Sequence, residues 1–375
     1  MTFGHGGNIQ AVARQANCSP TDILDMSSNI NPLGPPPGLM DFLKENLETV
    51  TRLPEVDGRQ TAEHFADYLG LNSSRLLAGN GTTQLIYSIP RVLKSKSALI
   101  VGPTYSDYAD ACDRNGLARK IISARESEAF FPDPDRLQHG IQQFDTVFIC
   151  NPNNPTGILI SYDKLHQLCR SCPQSTFVID ESYMPFVSSA KQESMINSGL
   201  DNVMVLLSIS KIFGIPGLRI GFIIANNHYI LQLRHDLLPW SVNSLAHEAV
   251  RFLSGHKDLI ETFIQKSRMD LARQRQQFYE AFRTAPEFKI YRSQTPFVLI
   301  RLPAHLPAGT AWKRLVEEKV LIRNCANFEG LSDKFIRVSP KTPEANSLVA
   351  RKLIALSQSQ ESARENAVKG RLVGS

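Results

Sequence analysis

Five short apolar runs recur between residues 97 and 225: SALIVG (97–102), TVFIC (146–150), TFVID (176–180), VMVLLS (203–208) and RIGFIIA (219–225). Runs of this length without polar alternation suit strands covered on both faces, since a half-exposed strand alternates. Longer amphipathic segments separate several of them, which implies βαβ units and a largely parallel sheet. The last two runs lie close together and read as neighbours joined by a short connection. In open α/β sheets ligands gather at the carboxyl ends of the strands. Chemistry is therefore expected just after each run.

The residues there are of that kind. PTYSDY with Tyr105 follows the first run, and NPNNPTG (151–157) follows the second. The third ends in Asp180 and continues as ESY, with Tyr183. The fourth is followed by Ser210 and Lys211, within LLSISKIFGIPGLRIGFIIA (206–225), where Arg219 opens the fifth. From about residue 228 the pattern changes to long helical stretches and then PFVLIRL, KVLIRNC and KFIRVSP, which read as strands of a smaller α+β lobe. The expected organisation is an N-terminal segment (1–40) packing on that lobe, a large domain (41–228), the small domain (229–356) and a flexible polar tail (357–375). The last helix is expected over about 344–356.

At 375 residues the chain is long enough for two lobes. Its net charge of +5 suits an anionic ligand. The basic residues are dispersed, so no nucleic-acid partner is expected. No apolar run reaches membrane-spanning length, and MTFGHGGNIQ carries no apolar signal region. Cys169 and Cys172 form a C-x-x-C pair, but no second pair or histidine set has zinc spacing. A reduced, cytoplasmic protein without a metal is the expectation.

A lysine amine forms Schiff bases with carbonyl compounds, pyridoxal phosphate among them. That cofactor needs a carboxylate at its ring nitrogen, a stacking partner, donors to its phenolic oxygen and a cup for its phosphate. Lys211 can supply the amine, Asp180 the carboxylate and Tyr105 the stacking face. Asn154 and Tyr183 can donate to the phenolic oxygen. Ser208, Ser210, Arg219 and the turn GNGTT (79–83), through the backbone of Gly81 and Thr82, can receive the phosphate. Alone, GNGTT is a turn, Asp180 a helix cap, Asn154 a loop residue and Tyr105 a packing residue. Their joint order on successive strand ends is what chance does not supply.

NPNNPTG, DESY and SxSK…R in this order resemble the aminotransferase-like, fold-type I pyridoxal-phosphate enzymes. The resemblance implies a large domain with a mostly parallel sheet, a smaller α+β domain, pyridoxal 5′-phosphate on Lys211, and a homodimer with the site near the interface. It makes Lys211, Asp180 and Tyr183 the catalytic residues. The ends of the chain are more specific. HGGNI (5–9), DMSSNINPLGPP (25–36), PWSVNSLA (239–246) and LIRNCANFEGL…FIRV (321–338) together resemble the threonine-phosphate decarboxylase family of cobalamin biosynthesis. That resemblance implies loss of CO2 from L-threonine O-phosphate, with His5, Asn29, Arg323 and Arg337 as substrate ligands, since arginine pairs bidentately with carboxylate and phosphate. In isolation the two arginines read as surface ion-pair partners and His5 as an ordinary terminal histidine.

Three departures bear on the substrate. Leu53 stands where relatives have a tyrosine that reaches the neighbouring subunit's cofactor. Tyr183 is the usual aminotransferase residue, where decarboxylase relatives can carry phenylalanine. Pro340-Lys341 stands where a second arginine is usual. L-serine O-phosphate is thus a second candidate, because one methyl discriminates by only about 1–3 kcal/mol. A histidinol-phosphate-type aminotransferase and a catalytically silent cofactor-binding homologue are the other readings.

Overall fold

The computed structural model describes the backbone of residues 6–373 and the side chains of residues 6–361. It contains thirteen strands among the described residues. These are β1 (Leu24–Asp25), β2 (Leu76–Gly79), β3 (Ser97–Gly102), β4 (Ala118–Ser123), β5 (Thr146–Cys150), β6 (Thr176–Asp180), β7 (Val203–Leu207), β8 (Gly221–Ile224), β9 (Lys289–Ile290), β10 (Val298–Arg301), β11 (Val320–Leu321), β12 (Arg323–Asn324) and β13 (Phe335–Val338). Two compact units divide them. The larger comprises Ile30–Asn154 and Ile158–Arg268. The smaller comprises the chain up to Asn29, Pro155–Gly157, and the chain from Met269 onward.

The larger unit is built on a seven-stranded sheet of order β2-β8-β7-β6-β5-β3-β4. All five apolar runs are strands of it. β5 and β7 are buried along their whole length, as their unbroken apolar sequences require. β4, β3, β5, β6 and β7 are mutually parallel, whereas β8 runs antiparallel to both β7 and β2. The reversal brings the start of β8 to the same rim as the end of β7, so Lys211 and Arg219 share an edge of the sheet. β4 and β5 flank β3 on opposite sides. The chain therefore leaves the end of β3 toward β4 and the end of β5 toward β6, in opposite directions, the arrangement that opens a crevice at a sheet's carboxyl edge.

Helices on the sheet bury their apolar faces in one core that includes Leu85, Ile89, Tyr108, Phe148, Val178, Leu206 and Ile223, each with about 1 % exposure or less. Each side chain of this size contributes roughly 1.5–3 kcal/mol on burial. Phe65, on the helix Arg59–Leu69, stacks on Phe222 of β8 with ring centroids 3.8 Å apart. Two strands escape the apolar pattern. β4 (ARKIIS) is an edge strand that is exposed or half-buried at every position, and β2 (LLAG) has only four residues. Cys169 and Cys172, both buried, close the helix Tyr162–Ser171.

The smaller unit holds an antiparallel sheet of order β12-β13-β10-β9 and a parallel β1-β11 pair. Its three expected strand segments are β10, β11 with β12, and β13. Their inward faces meet the helices Ala308–Glu317 and Pro343–Val373 around Phe278, Val298, Ile300, Leu315, Ile336, Val349 and Leu353. The final helix continues well past Leu356, to Val373. No helix among the described residues is long and apolar enough to cross a membrane.

Candidate active site

On the larger unit, the carboxyl rim of the sheet brings together ten of the residues singled out from sequence. Asp180 is the last residue of β6, in register with Cys150 of β5 and Leu206 of β7. It is buried, and each carboxylate oxygen is held. Oδ1 accepts the Ser182 N–H at 2.9 Å, and Oδ2 accepts the Tyr108 hydroxyl at 2.7 Å. Tyr108 is itself fixed by stacking on Phe148, centroids 5.4 Å apart. Burial, and then the Asp180 charge, push its phenol far up, so it stays a protonated donor. Tyr105 meets Tyr108 edge to face at 5.7 Å.

Lys211 follows the buried Ser208 and Ser210 beyond β7, and the Ser210 hydroxyl donates to the Ile220 carbonyl at 3.2 Å. The ammonium lies 5.2 Å from the centre of the Tyr183 ring. Burial pulls its pKa below the ordinary lysine range, while Asp180 and Cys150 pull the other way. A lysine so placed offers more neutral amine near pH 7 than a solvated one, the condition for attack on a carbonyl carbon. The next carboxyl along the chain, Glu181, turns away from this cluster. It accepts the Ser194 hydroxyl at 2.5 Å and the Met195 N–H at 2.6 Å, and burial raises its pKa to about 7.

The loop after β5 is tied to the end of β3. Asn153 donates to the Pro103 carbonyl at 2.9 Å and accepts the Thr104 hydroxyl at 2.8 Å. Asn151 clasps Ile160 in both directions, at 2.9 and 2.7 Å. Between them these residues fix the segment that carries the buried Asn154.

A further group forms at the start of the helix Gly81–Val92. No side chain caps this helix, whose N-cap is Asn80. Gly81 adopts a left-handed φ of +73°, and a Cβ there would sit 2.5 Å from Arg219 Nη2. The glycine therefore makes room for a guanidinium against an uncapped helix N-terminus. Amides and the helix dipole there favour an anion. Arg219 is held by its Nη1 donating to the Pro216 carbonyl at 3.2 Å. With Thr82, Ser208 and Ser210 on the same rim, the donor set fits a phosphate monoester. The lysine, carboxylate and tyrosines fit an aromatic aldehyde carrying a ring nitrogen. Together they fit pyridoxal phosphate.

The smaller unit carries a separate group of cations. Arg323 of β12 is in register directly opposite Arg337 of β13, and both are buried. Arg337 Nη2 donates to the Ser27 carbonyl at 2.7 Å and packs over Phe297. Arg323 Nη2 donates to Asn327 Oδ1 at 2.7 Å and packs over Phe328. Burial, and then the Arg337 charge, lower the Arg323 pKa to about 10, and its Nε meets no acceptor among the described residues. Lys341 Nζ donates to the Ser28 carbonyl at 3.3 Å, and the Ser339 hydroxyl donates to Asn29 Oδ1 at 3.1 Å. Like charges opposed across a strand pair are destabilising. Two buried guanidinium groups side by side are the type of donor set that recognises carboxylate or phosphate. His5 lies outside the described residues.

Tyr108, whose hydroxyl holds Asp180, is the residue of the candidate site that sequence reasoning missed. The available signal was a second tyrosine three residues after Tyr105, just inside the helix Asp107–Arg114.

The fold and the rim of the larger unit define a fold-type I enzyme that works with pyridoxal phosphate. The chain belongs to the aminotransferase class I and II family, whose profile matches residues 21–353. It is 31 % identical over 348 residues to a threonine-phosphate decarboxylase of Salmonella typhimurium, covering 91 % of this chain and 93 % of that one. It is 30 % identical over 347 residues to an adenosylcobalamin biosynthesis bifunctional protein CobDQ of Leptospira interrogans, covering 91 % of this chain but only 40 % of that longer protein. Among solved structures, an L-threonine-O-3-phosphate decarboxylase from Porphyromonas gingivalis matches with TM-score 0.79 at 28 % identity, over 90 % of this chain and all of that one. A histidinol-phosphate aminotransferase from Clostridium acetobutylicum matches with TM-score 0.82 at 26 % identity, over the same shares.

Proposed function

We propose that this protein decarboxylates L-threonine O-phosphate to (R)-1-amino-2-propanol O-phosphate and CO2, serving assembly of the cobalamin nucleotide loop. The observation that carries the reading is the buried Arg323–Arg337 pair in a chain that also has the Lys211–Asp180 rim. A substrate with both a carboxylate and a phosphate matches the bidentate donors of two adjacent guanidinium groups. The identity to the Salmonella decarboxylase over nearly both whole chains supports the same substrate.

Pyridoxal phosphate, when bound, supplies an electron sink for the pair released as CO2 departs. The chain's own residues do the rest. Arg219, Ser208, Ser210 and the amides of Gly81 and Thr82 hold the cofactor phosphate. Asp180, its charge shared with Tyr108 and the Ser182 amide, keeps the proton on the ring nitrogen. Tyr105 would cover the ring, and Asn154 and Tyr183 would donate to its phenolic oxygen. Lys211 would hold the cofactor through its side-chain amine and would move a proton at the substrate Cα. Arg323, Arg337, Asn29 and His5 hold the substrate anions. Lys341 retains positive charge in the same cluster, in place of the arginine usual among relatives. A homodimer in the cytoplasm completes the reading. Its support is a set of exposed apolar side chains on the larger unit, including Leu47, Val50, Leu53, Val56, Leu238 and Trp240, and six free cysteines.

The test supplies L-threonine O-phosphate or L-serine O-phosphate to the cofactor-loaded protein without an oxo acid, and measures CO2 and the phosphorylated amine. CO2 with a preference of about 5- to 150-fold for the threonine ester, the value of one buried methyl, is the expected result. No CO2 from either, with glutamate formed from histidinol phosphate and 2-oxoglutarate, would replace this reading with that of an aminotransferase.

A further inference from the structure

The segment NINPLG (29–34) has so far been given a role only at its first residue. Asn31, at 3 % exposure, is the most enclosed polar residue of the segment. Its backbone N–H donates to the Lys211 carbonyl at 2.9 Å. Its side-chain Nδ2 donates to the Ile212 carbonyl at 2.8 Å and to Ser267 Oγ at 2.8 Å. Its Oδ1 accepts the Leu33 N–H at 3.1 Å, and its carbonyl accepts the Gly34 N–H at 3.2 Å. Ser267 donates its own proton to the Phe263 carbonyl at 2.8 Å, which leaves its lone pairs for Asn31. One residue thus grips two successive carbonyls, those of Lys211 and Ile212, and is itself anchored to the helix Lys257–Ala281.

Two carbonyls held from one side fix the peptide plane that follows Lys211. They thereby fix the direction in which its Cα–Cβ bond leaves the chain. The same turn is locked from below. Gly214 adopts a φ of +62°, and a Cβ there would lie 2.7 Å from the Gly34 carbonyl carbon, so the two turns touch backbone to backbone. A simple packing role would be served as well by an apolar residue, whereas this geometry uses every donor and acceptor of an amide. Aspartate is isosteric, but it would set a carboxylate oxygen against the Ile212 carbonyl.

We infer that Asn31 is a positioning residue that aims Lys211 at the cofactor, with Ser267 as its anchor. The inference rests on the reading of Lys211 as the cofactor-bearing lysine. Misplacing such a group by about 1 Å is enough to cost on the order of a hundredfold in its reaction.

The experiment uses the holoenzyme and its Asn31→Ala and Ser267→Ala variants. Three quantities are measured: visible circular dichroism of the bound cofactor, the rate at which borohydride fixes the cofactor to the Lys211 peptide, and the affinity of the apoprotein for pyridoxine 5′-phosphate, which lacks the aldehyde. Asn31→Ala is expected to weaken the dichroic band and to slow fixation by about tenfold or more, with Ser267→Ala shifting both in the same direction by less. Affinity for pyridoxine 5′-phosphate is expected to stay within about twofold, because Asn31 acts on the lysine and not on the phosphate cup. Unchanged dichroism and fixation in a folded Asn31→Ala would overturn the inference. So would a loss of pyridoxine 5′-phosphate affinity in step with fixation, which marks general damage to the site. If Asn31→Ala does not fold, Ser267→Ala decides by the same criteria. Absence of fixation at Lys211 in the parent protein would instead bring down the cofactor reading itself.

Discussion

Gly81→Ala is the sharpest probe of the phosphate cup. The added methyl carbon would lie 2.5 Å from Arg219 Nη2 and 3.2 Å from Arg219 Cζ, both inside van der Waals contact. The arginine must move, since it is the flexible partner. Alanine must also hold a left-handed φ, which costs about 1–2 kcal/mol per residue. That part appears as lost stability with or without cofactor. Displacing the guanidinium from a phosphate removes a charge-assisted hydrogen bond, worth roughly 1.5–3 kcal/mol. The expected dissociation constant for pyridoxal phosphate therefore rises by about 10- to 150-fold. Titration of the apoprotein, followed by protein fluorescence or by cofactor absorbance, measures it. Pyridoxal without its phosphate is the control, and its weaker binding should change by less than about twofold. Equal losses for both ligands, or no loss for either in a folded variant, would refute the assignment of this cradle to the cofactor phosphate.

Arg323→Met should separate stability from function. It removes a buried cation that opposes Arg337, so thermal melting is expected to rise, while kcat/KM for the phosphorylated amino acid falls by about 10- to 150-fold; a fall in both would mean that Arg323 is chiefly structural. Glu181 makes stability depend on pH. The folded state keeps its proton up to about pH 7, whereas an ordinary glutamate releases it near 4.5, so this contribution is full below 4.5 and is lost as pH rises through 7. Glu181→Gln, whose amide can serve both Ser194 and Met195, should flatten that decline, with a gain above pH 7 of at most about 3 kcal/mol by denaturant unfolding. Leu53, 78 % exposed, and Leu238, 73 % exposed, test the proposed homodimer. Leu53→Glu with Leu238→Glu is expected to lower the sedimentation coefficient from a dimer's to a monomer's, and an unchanged value would free this face of that role.

The strands that β-rich composition announces are those buried on both faces, because only there does sequence lose its alternation. β4 was invisible for the opposite reason, as an edge strand that must be half polar. The candidate cofactor rim was legible because most of its groups end or follow a strand, and Arg219, which leads into the antiparallel β8, reaches the same edge. The arginine pair was legible only as two separate residues. Their opposition depends on the register of β12 against β13, which neither short strand declares. Tyr108 was hidden by its own environment. A tyrosine between Ala and Cys contacts on a helix reads as packing until the partner of its hydroxyl is seen. Asn31 was hidden in another way, since an Asn-Pro pair signals a turn and says nothing of the carbonyls the turn will grip.

The place of β2 in the sheet joins two distant parts of the chain. β2 is an edge strand whose sole neighbour among the described residues is β8, and Gly79 pairs with Gly221. Roughly 140 residues are synthesised between them, and contacts across such a separation form late because the loop they close is long. β3 to β7 can assemble meanwhile, leaving the apolar LLAG segment without a ladder to join. The turn that holds Gly81 follows β2 directly, and Arg219 leads into β8. Pairing of β2 with β8 thus also brings Gly81 against Arg219, so whatever parts these two strands would open the proposed phosphate cup.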